Sequence, residues 1–174
     1  MLRDYEFVQL ARREGRVRFG FRSLTKKLSC DSNLCQGECC KHHNSVVYSA
    51  YHPEELRTKA IPVDAVGLID KTGRVKETNG FCALIPFCQK YPHIVPTDCR
   101  LFPLGFTEDG VLVLKRYAWM HPCPAYGKGE PIYKSMRKYL IEVFGEQIYN
   151  GIVNTIEEEI HAGRITLQKS LWSK

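Results

Sequence analysis

Apolar and polar positions alternate from the start of the chain. Tyr5, Phe7 and Gln9 alternate with polar neighbours, Arg13-Glu14-Gly15-Arg16 has the composition of a turn, and Val17, Phe19 and Phe21 alternate with Arg16, Arg18, Gly20 and Arg22. A period of two belongs to a half-buried strand, so a hairpin is expected over residues 5–21, with one apolar face and one strongly cationic face. Val46-Val47-Tyr48 is a second β-prone stretch. Pro53 suits the first turn of a short helix, with Glu54 and Glu55 at its positive end, Lys59 near its negative end and Pro62 as its limit. Residues 63–70 and 74–78 flank Asp70-Lys71-Thr72-Gly73, a good hairpin turn. Residues 104–106 and 111–116 are expected as strands joined at Glu108-Asp109-Gly110.

The period then becomes helical. Met136, Leu140, Val143 and Phe144 share one face over residues 133–144, and Ile148, Ile152, Ile156 and Ile160 share another over 147–161. Gly145 separates the two helices and Gly163 ends the second. They are expected to pack on the sheet and cover the cysteine region from one side, with Glu157, Glu158 and Glu159 on a solvated face. Between the two patterns, Pro86, Pro92, Pro96 and Pro103 exclude a long helix and a central strand. An irregular loop is expected there, and a bound metal ion would supply the order that ladder hydrogen bonds cannot. The pattern predicts an α+β fold: a small cysteine-rich domain of short hairpins and Pro-rich loops around polythiolate metal sites, with two C-terminal helices. Residues 1–174 are expected as one domain, with a basic N-terminal hairpin over 1–29, a cysteine-cluster core over 30–130 and the helices over 131–174.

At 174 residues and 44% hydrophobic, the chain can bury a core without disulfides. No run approaches the roughly 18 consecutive apolar residues of a membrane span, and Met1-Leu2-Arg3-Asp4-Tyr5-Glu6-Phe7 carries charges where a secretory signal has its apolar core. A cytoplasmic protein with no membrane partner is the expectation. In that reducing compartment a cysteine pattern is read as metal-binding or redox-active before it is read as a disulfide framework.

The net charge of +6 is concentrated at one end. Arg3, Arg12, Arg13, Arg16, Arg18, Arg22, Lys26 and Lys27 stand against Asp4, Glu6 and Glu14 within residues 1–29. Such a face can attract nucleic acid or an acidic protein partner. It can equally offset the negative charge of four-thiolate centres, each about −2 with Zn2+ or a [4Fe-4S]2+ cluster. The second reading is preferred, because aromatic and basic residues do not interleave as they do in single-strand binders.

Eight cysteines supply the candidate chemistry. Cys30, Cys35, Cys39 and Cys40 fall within eleven residues around Gly37; Cys82, Cys88, Cys99 and Cys123 follow singly among Gly and Pro. Four sulfurs can converge on one small volume only from turns, which Gly and Pro provide. Neighbouring side chains point apart in extended backbone, so Cys39 and Cys40 serve two centres unless a turn rotates them towards one. The paired C-x-x-C knuckles of a zinc ribbon and the ferredoxin run are both absent. His42, His43, His93 and His121 lie close enough in sequence to replace a thiolate. Asp98 could cap a turn whose amides, with Arg100, stabilise the Cys99 thiolate, or Arg100 could lie on the surface.

The first cysteine group, Gly80-Phe81-Cys82, Cys88 with Tyr91, Pro96-Thr97-Asp98-Cys99-Arg100-Leu101-Phe102-Pro103 and Cys123-Pro124-Ala125-Tyr126-Gly127 together resemble the YkgJ-type cysteine-cluster family. That family is described as a zinc- or iron-chelating domain related to the flagellin lysine N-methylase group. The resemblance covers about residues 30–129, and Pro96-x-x-Cys99-Arg100-x-Phe102-Pro103 is its most specific part. Two departures bear on the ligand set: the family's first block is tighter, near C-x-x-C-x-x-C-C, and Val95 stands where an Arg commonly precedes the Pro. The resemblance implies Cys30, Cys35, Cys39, Cys40, Cys82, Cys88, Cys99 and Cys123 as candidate metal ligands.

Whether the chain is an enzyme is left open at this level. It has no Walker loop, no dinucleotide fingerprint and no nucleophile elbow, and Cys35-x-x-x-Cys39-Cys40 does not complete a radical-cluster motif. Three functions are compatible with the residues. The first is a metal-binding protein with a redox or accessory role, with an iron-sulfur cluster preferred to zinc because adjacent cysteines and Pro-rich aromatic surroundings suit a shielded cluster. The second is a structural zinc domain that binds nucleic acid or a protein through its basic hairpin. The third, implied by the resemblance, is a metal-dependent protein-modifying enzyme of the lysine N-methylase kind.

Overall fold

The computed structural model describes residues 4–28, 51–79, 81–115 and 126–165. In chain order the first segment holds α1 (Asp4–Glu14), β1 (Arg18–Phe19), α2 (Phe21–Leu24) and β2 (Lys27–Leu28). The middle segments hold α3 (Pro53–Thr58), α4 (Val63–Val66), β3 (Glu77–Thr78), β4 (Phe81–Cys82), α5 (Ile85–Lys90), a 3-10 turn at Pro92–Ile94, α6 (Thr97–Leu101), β5 (Leu104–Phe106) and β6 (Val111–Leu114). The last holds β7 (Tyr126–Pro131), α7 (Ile132–Ser135), α8 (Arg137–Phe144) and α9 (Glu146–His161). The fold is mixed α+β with small sheets, as expected. Val46-Val47-Tyr48 lies outside the described residues.

The chain divides into two compact units, Met1–Cys35 with Leu101–Lys174, and Gln36–Arg100. In the first, the expected hairpin over 5–21 is replaced by a helix. Asp4, Phe7, Val8 and Ala11 are the buried residues of α1, which is the i, i+3, i+4, i+7 stripe of a helix rather than the alternation of a strand. Asp4 and Glu6 in the first turn and Arg12 and Arg13 in the last suit the helix dipole. Gly15, at φ +68°, ends the helix, and the Arg16 amide donates to the Ala11 carbonyl at 3.2 Å in a Schellman-type closure. The strand that follows, β1, pairs in parallel with β6 rather than with the segment before it, Arg18 opposite Val111 and Phe19 opposite Leu112.

The β5–β6 hairpin forms as expected, with Leu104 opposite Leu114 and Phe106 opposite Leu112. A second pair, β2 with β7, was not legible in the pattern; it joins Lys27 to Pro131 and Leu28 to Tyr126 across an irregular register. Around these strands Leu24, Leu28, Leu101, Leu104, Leu112, Ile132, Leu140 and Ile156 form the centre of one core. The Phe7 ring stacks on Phe106 with centroids 5.1 Å apart, and Phe106 meets Phe144 edge-on at 6.2 Å. Asp4 anchors α1 to the hairpin: one carboxylate oxygen accepts from the Phe106 amide at 2.9 Å and the other pairs with Lys115.

The C-terminal helices fall where the period places them, with two refinements. The first breaks at Met136 into α7 and α8, and Gly145 at φ +88° separates α8 from α9. Met136, Leu140, Val143, Phe144, Ile148, Ile152 and Ile156 are buried, while Ile160 is half-buried. These side chains fill the core of their own unit, which contains none of the described cysteines. Glu157 reaches Lys134 at 3.5 Å and Glu159 makes a two-pronged pair with Arg164 at the end of the helix.

The second unit has a smaller core of Tyr51, Ala65, Val75 and Leu84. Its α3 has the expected Pro at its first turn, capped by the His52 ring, whose Nδ1 accepts from the Glu54 amide at 3.3 Å. The expected strand over 63–70 is instead a helical turn, α4, followed by a single bridge of Ile69 with Val75. Asp70 Oδ1 accepts from the Thr72 and Arg74 amides at 2.7 and 3.0 Å, so the 70–73 turn forms as read. The carbonyl of Gly73, a residue at φ +82°, accepts from the Tyr51 amide at 2.8 Å, and an added Cβ at Gly73 would stand 2.2 Å from the Tyr51 oxygen.

Candidate functional site

Of the eight candidate ligands, Cys82, Cys88 and Cys99 are described, all within the Gln36–Arg100 unit. Cys30, Cys35, Cys39, Cys40 and Cys123 lie outside the described residues, as do His42, His43 and His121. An irregular loop was expected over 80–103; residues 81–103 instead form a chain of short regular elements. Prolines break helices in their interiors but fit the first turn, where the missing amide has no partner to lose. Pro86 and Pro92 occupy such positions in α5 and the 3-10 turn, and Pro96 directly precedes α6.

Each described thiol therefore sits on its own small element. Cys82 ends β4, which pairs antiparallel with β3 so that Glu77 faces Cys82; Asn79, at φ +52°, takes the left-handed conformation that the reversal needs. Cys88 sits in α5, its amide donating to the Leu84 carbonyl at 2.8 Å. Cys99 lies in α6, two residues into the turn that Thr97 opens. Cys82 and Cys88 are half-buried and Cys99 is exposed.

The hydroxyl of Tyr51 feels all three. Burial, then the charges of Cys88, Cys99, Glu55 and Cys82, push the Tyr51 hydroxyl well above the ordinary phenol value. Burial raises Cys82, against the pull of the Leu84 amide. Burial also pushes Cys88 up to about 11, with Cys82 adding to the rise and Lys59 and Arg100 opposing it. Desolvation lowers Lys59, while Glu55 holds it up.

Side-chain hydrogen bonds also order this region. Tyr51 donates its hydroxyl to the Ile94 carbonyl at 2.5 Å, and Lys59 donates to the Val95 carbonyl. Arg100 donates to the carbonyls of Val95 and Pro92, so it holds its own turn rather than lying idle on the surface. Glu55, buried, accepts from the Thr97 amide and hydroxyl at 2.8 and 2.7 Å, and from Lys59 at 3.1 Å. His93 Nε2 stands 3.3 Å from the Ala60 carbonyl, an engagement that competes with ligation through that nitrogen.

Residues 51, 55 and 59 are spaced by four and converge on one segment. Sequence reasoning placed Glu55 and Lys59 at the ends of a helix, which is correct, but gave no target for their side chains. Their spacing was the available signal, and the target lies 36 to 43 positions further along the chain.

Thiols are the kind of donor that soft metals take. Among the described residues, however, no three Cys, His, Asp or Glu side chains stand close enough to hold a metal ion. Cys82, Cys88 and Cys99 by themselves make up no such group. No known protein family, curated protein or solved structure matches this chain. Among the described residues no helix is long and apolar enough to cross a membrane.

The basic N-terminal face is partly engaged within its own unit. Arg12 Nε donates to the Val143 carbonyl at 2.7 Å, Arg18 donates to the Asp109 carbonyl at 3.0 Å, and Arg16 stands 3.6 Å from Glu14. With the hairpin replaced by a helix, the expected continuous cationic strand face does not form.

Proposed function

We propose that this chain is a metal-binding cysteine-cluster protein with a redox or accessory role, holding an iron-sulfur cluster in preference to zinc. The observation that carries the reading is that Cys82 and Cys88, from separate short elements, both pack against the small core that holds Tyr51, while Cys99 sits on the turn that Glu55 engages through Thr97. Burial holds Cys88 protonated in the metal-free chain, and Lys59 and Arg100 oppose that rise without overcoming it, so a metal that takes this sulfur must displace its proton. Partly apolar surroundings, including Phe87 and Leu84, suit a shielded cluster. The resemblance to the YkgJ-type family points in the same direction.

The test is metal and sulfide analysis, with a visible absorption spectrum, on the full chain purified without oxygen. Iron with acid-labile sulfide and a broad visible band is the expected result, followed by reversible one-electron reduction. Stoichiometric zinc without colour would move the reading to a structural metal domain. A folded protein with neither metal and eight titratable thiols would overturn it.

A further inference from the structure

A buried carboxylate is costly unless its charge is met by donors. Glu55 is 2% exposed, and its Oε1 meets three: the Thr97 amide, the Thr97 hydroxyl and the Lys59 ammonium. A carboxylate that accepts the leading amide of a helical turn does the work of a helix cap, here delivered from a different element 42 positions earlier in the chain. Thr97 opens α6, and Cys99 follows two residues later. Tyr51 and Lys59 fix the carbonyls of Ile94 and Val95 immediately before that turn. The 3-10 turn at Pro92–Ile94 closes through the amides of Ile94 and Val95, which bond the carbonyls of Tyr91 and Pro92, and the Tyr51 and Lys59 side chains tie the carbonyls of Ile94 and Val95 to residues 51–59. None of the bonds requires a bound ion.

We infer that Glu55 is a positioning residue for Cys99: with Tyr51 and Lys59 it pre-forms the Cys99-bearing turn, so that this thiol is in place before a metal arrives. The consequence for metal affinity rests on the metal-binding reading above, whereas the premise rests on the hydrogen bonds alone. Ordering the ligand in advance removes that ordering cost from the binding step. Supporting groups of this kind typically change metal affinity by about 10–100-fold.

The experiment uses the full chain, reduced and metal-free, titrated with Co2+ and followed by thiolate-to-cobalt absorption. Glu55→Ala should weaken Co2+ binding by about 10–100-fold, and Glu55→Gln should restore most of it, because the amide oxygen still accepts from Thr97. If Glu55 acts through Cys99, the double variant E55A/C99S binds Co2+ no more weakly than C99S alone. Additive losses in the double variant, or wild-type affinity in E55A, would overturn the inference. Hydrogen exchange of the metal-free chain reads the premise directly: amides 97–100 should exchange faster in E55A while those of α9 stay unchanged. Unchanged exchange at 97–100 would overturn the inference as well. If the wild-type chain binds no Co2+, the metal reading fails and exchange alone decides whether the clamp exists. Should E55A lose protection in α9 too, Thr97→Val replaces it, removing only the hydroxyl bond; faster exchange at 98–100 supports the clamp, and wild-type exchange there rejects it.

Discussion

Cys88 shows how the burial of a single side chain ties the stability of its unit to pH. Burial lifts its thiol from the ordinary 9.0 to about 11. In the unfolded chain the group ionises near pH 9, while in the folded, metal-free chain it keeps its proton until about pH 11. The stability it contributes is therefore complete below pH 9 and lost as pH rises through about 11. The Tyr51 hydroxyl, shifted in the same direction, adds a loss above pH 10.0. Lys59, lowered by burial, acts with the opposite sign, so the informative quantity is a difference between two proteins. Urea midpoints of the reduced, metal-free chain should fall between pH 9 and 11, and Cys88→Ala should flatten the fall. Equal slopes for the two proteins would show that the thiol is not held protonated by its surroundings.

At the scale of elements, the chain relies on side chains from one segment to finish the ends of another. The last turn of α8 has no basic residue of its own, and its terminal carbonyls at Glu142 and Val143 are met by Arg12 from α1, at 3.1 and 2.7 Å. This is a charge-assisted cap at the negative end of a helix dipole. Arg12→Ala should cost about 1 kcal/mol in urea unfolding, against less than about 0.5 kcal/mol for Arg13→Ala, its exposed neighbour. Equal effects would mean that the arginines act only through net charge. The same division of labour explains the misread N-terminus. Tyr5, Phe7 and Gln9 do alternate, but Phe7, Val8 and Ala11 form the stripe that meets Phe106 and the helical core. An eleven-residue stretch that satisfies both periods is decided by which partner surface it meets.

At the scale of the molecule, the described residues form two cores of unequal size. The first unit buries aromatic and aliphatic side chains from α1, the hairpin and α7 to α9, whereas the second buries Tyr51, Ala65, Val75 and Leu84. Small cores have little surplus over conformational entropy, so local features weigh more in the second. Gly73 is the sharpest of them, since its positive φ and its approach to the Tyr51 backbone leave no room for a Cβ. Gly73→Ala should cost about 2–3 kcal/mol, and hydrogen exchange should place the loss in residues 51–100 rather than in α9. Uniform loss across both units would show that their stabilities are not separable.

The amino-acid sequence by itself determined the elements whose cause is local. The α8–α9 pair follows from helical period and Gly145, the β5–β6 hairpin from Glu108-Asp109-Gly110, the start of α3 from Pro53, and the 70–73 turn from Asp70 and Gly73. The eight cysteines and their Pro-rich setting were also plain in the sequence, and they named the candidate chemistry. Only the tertiary structure decided what depends on partners far along the chain. It made α1 a helix because its apolar stripe found Phe106, paired β1 with β6 and β2 with β7, and turned the 81–103 region into a run of short elements. It also brought Tyr51, Glu55 and Lys59 to the Cys99 turn. A local pattern records the preference of a backbone, whereas a donor and an acceptor forty residues apart leave no trace in either segment until the chain between them has folded.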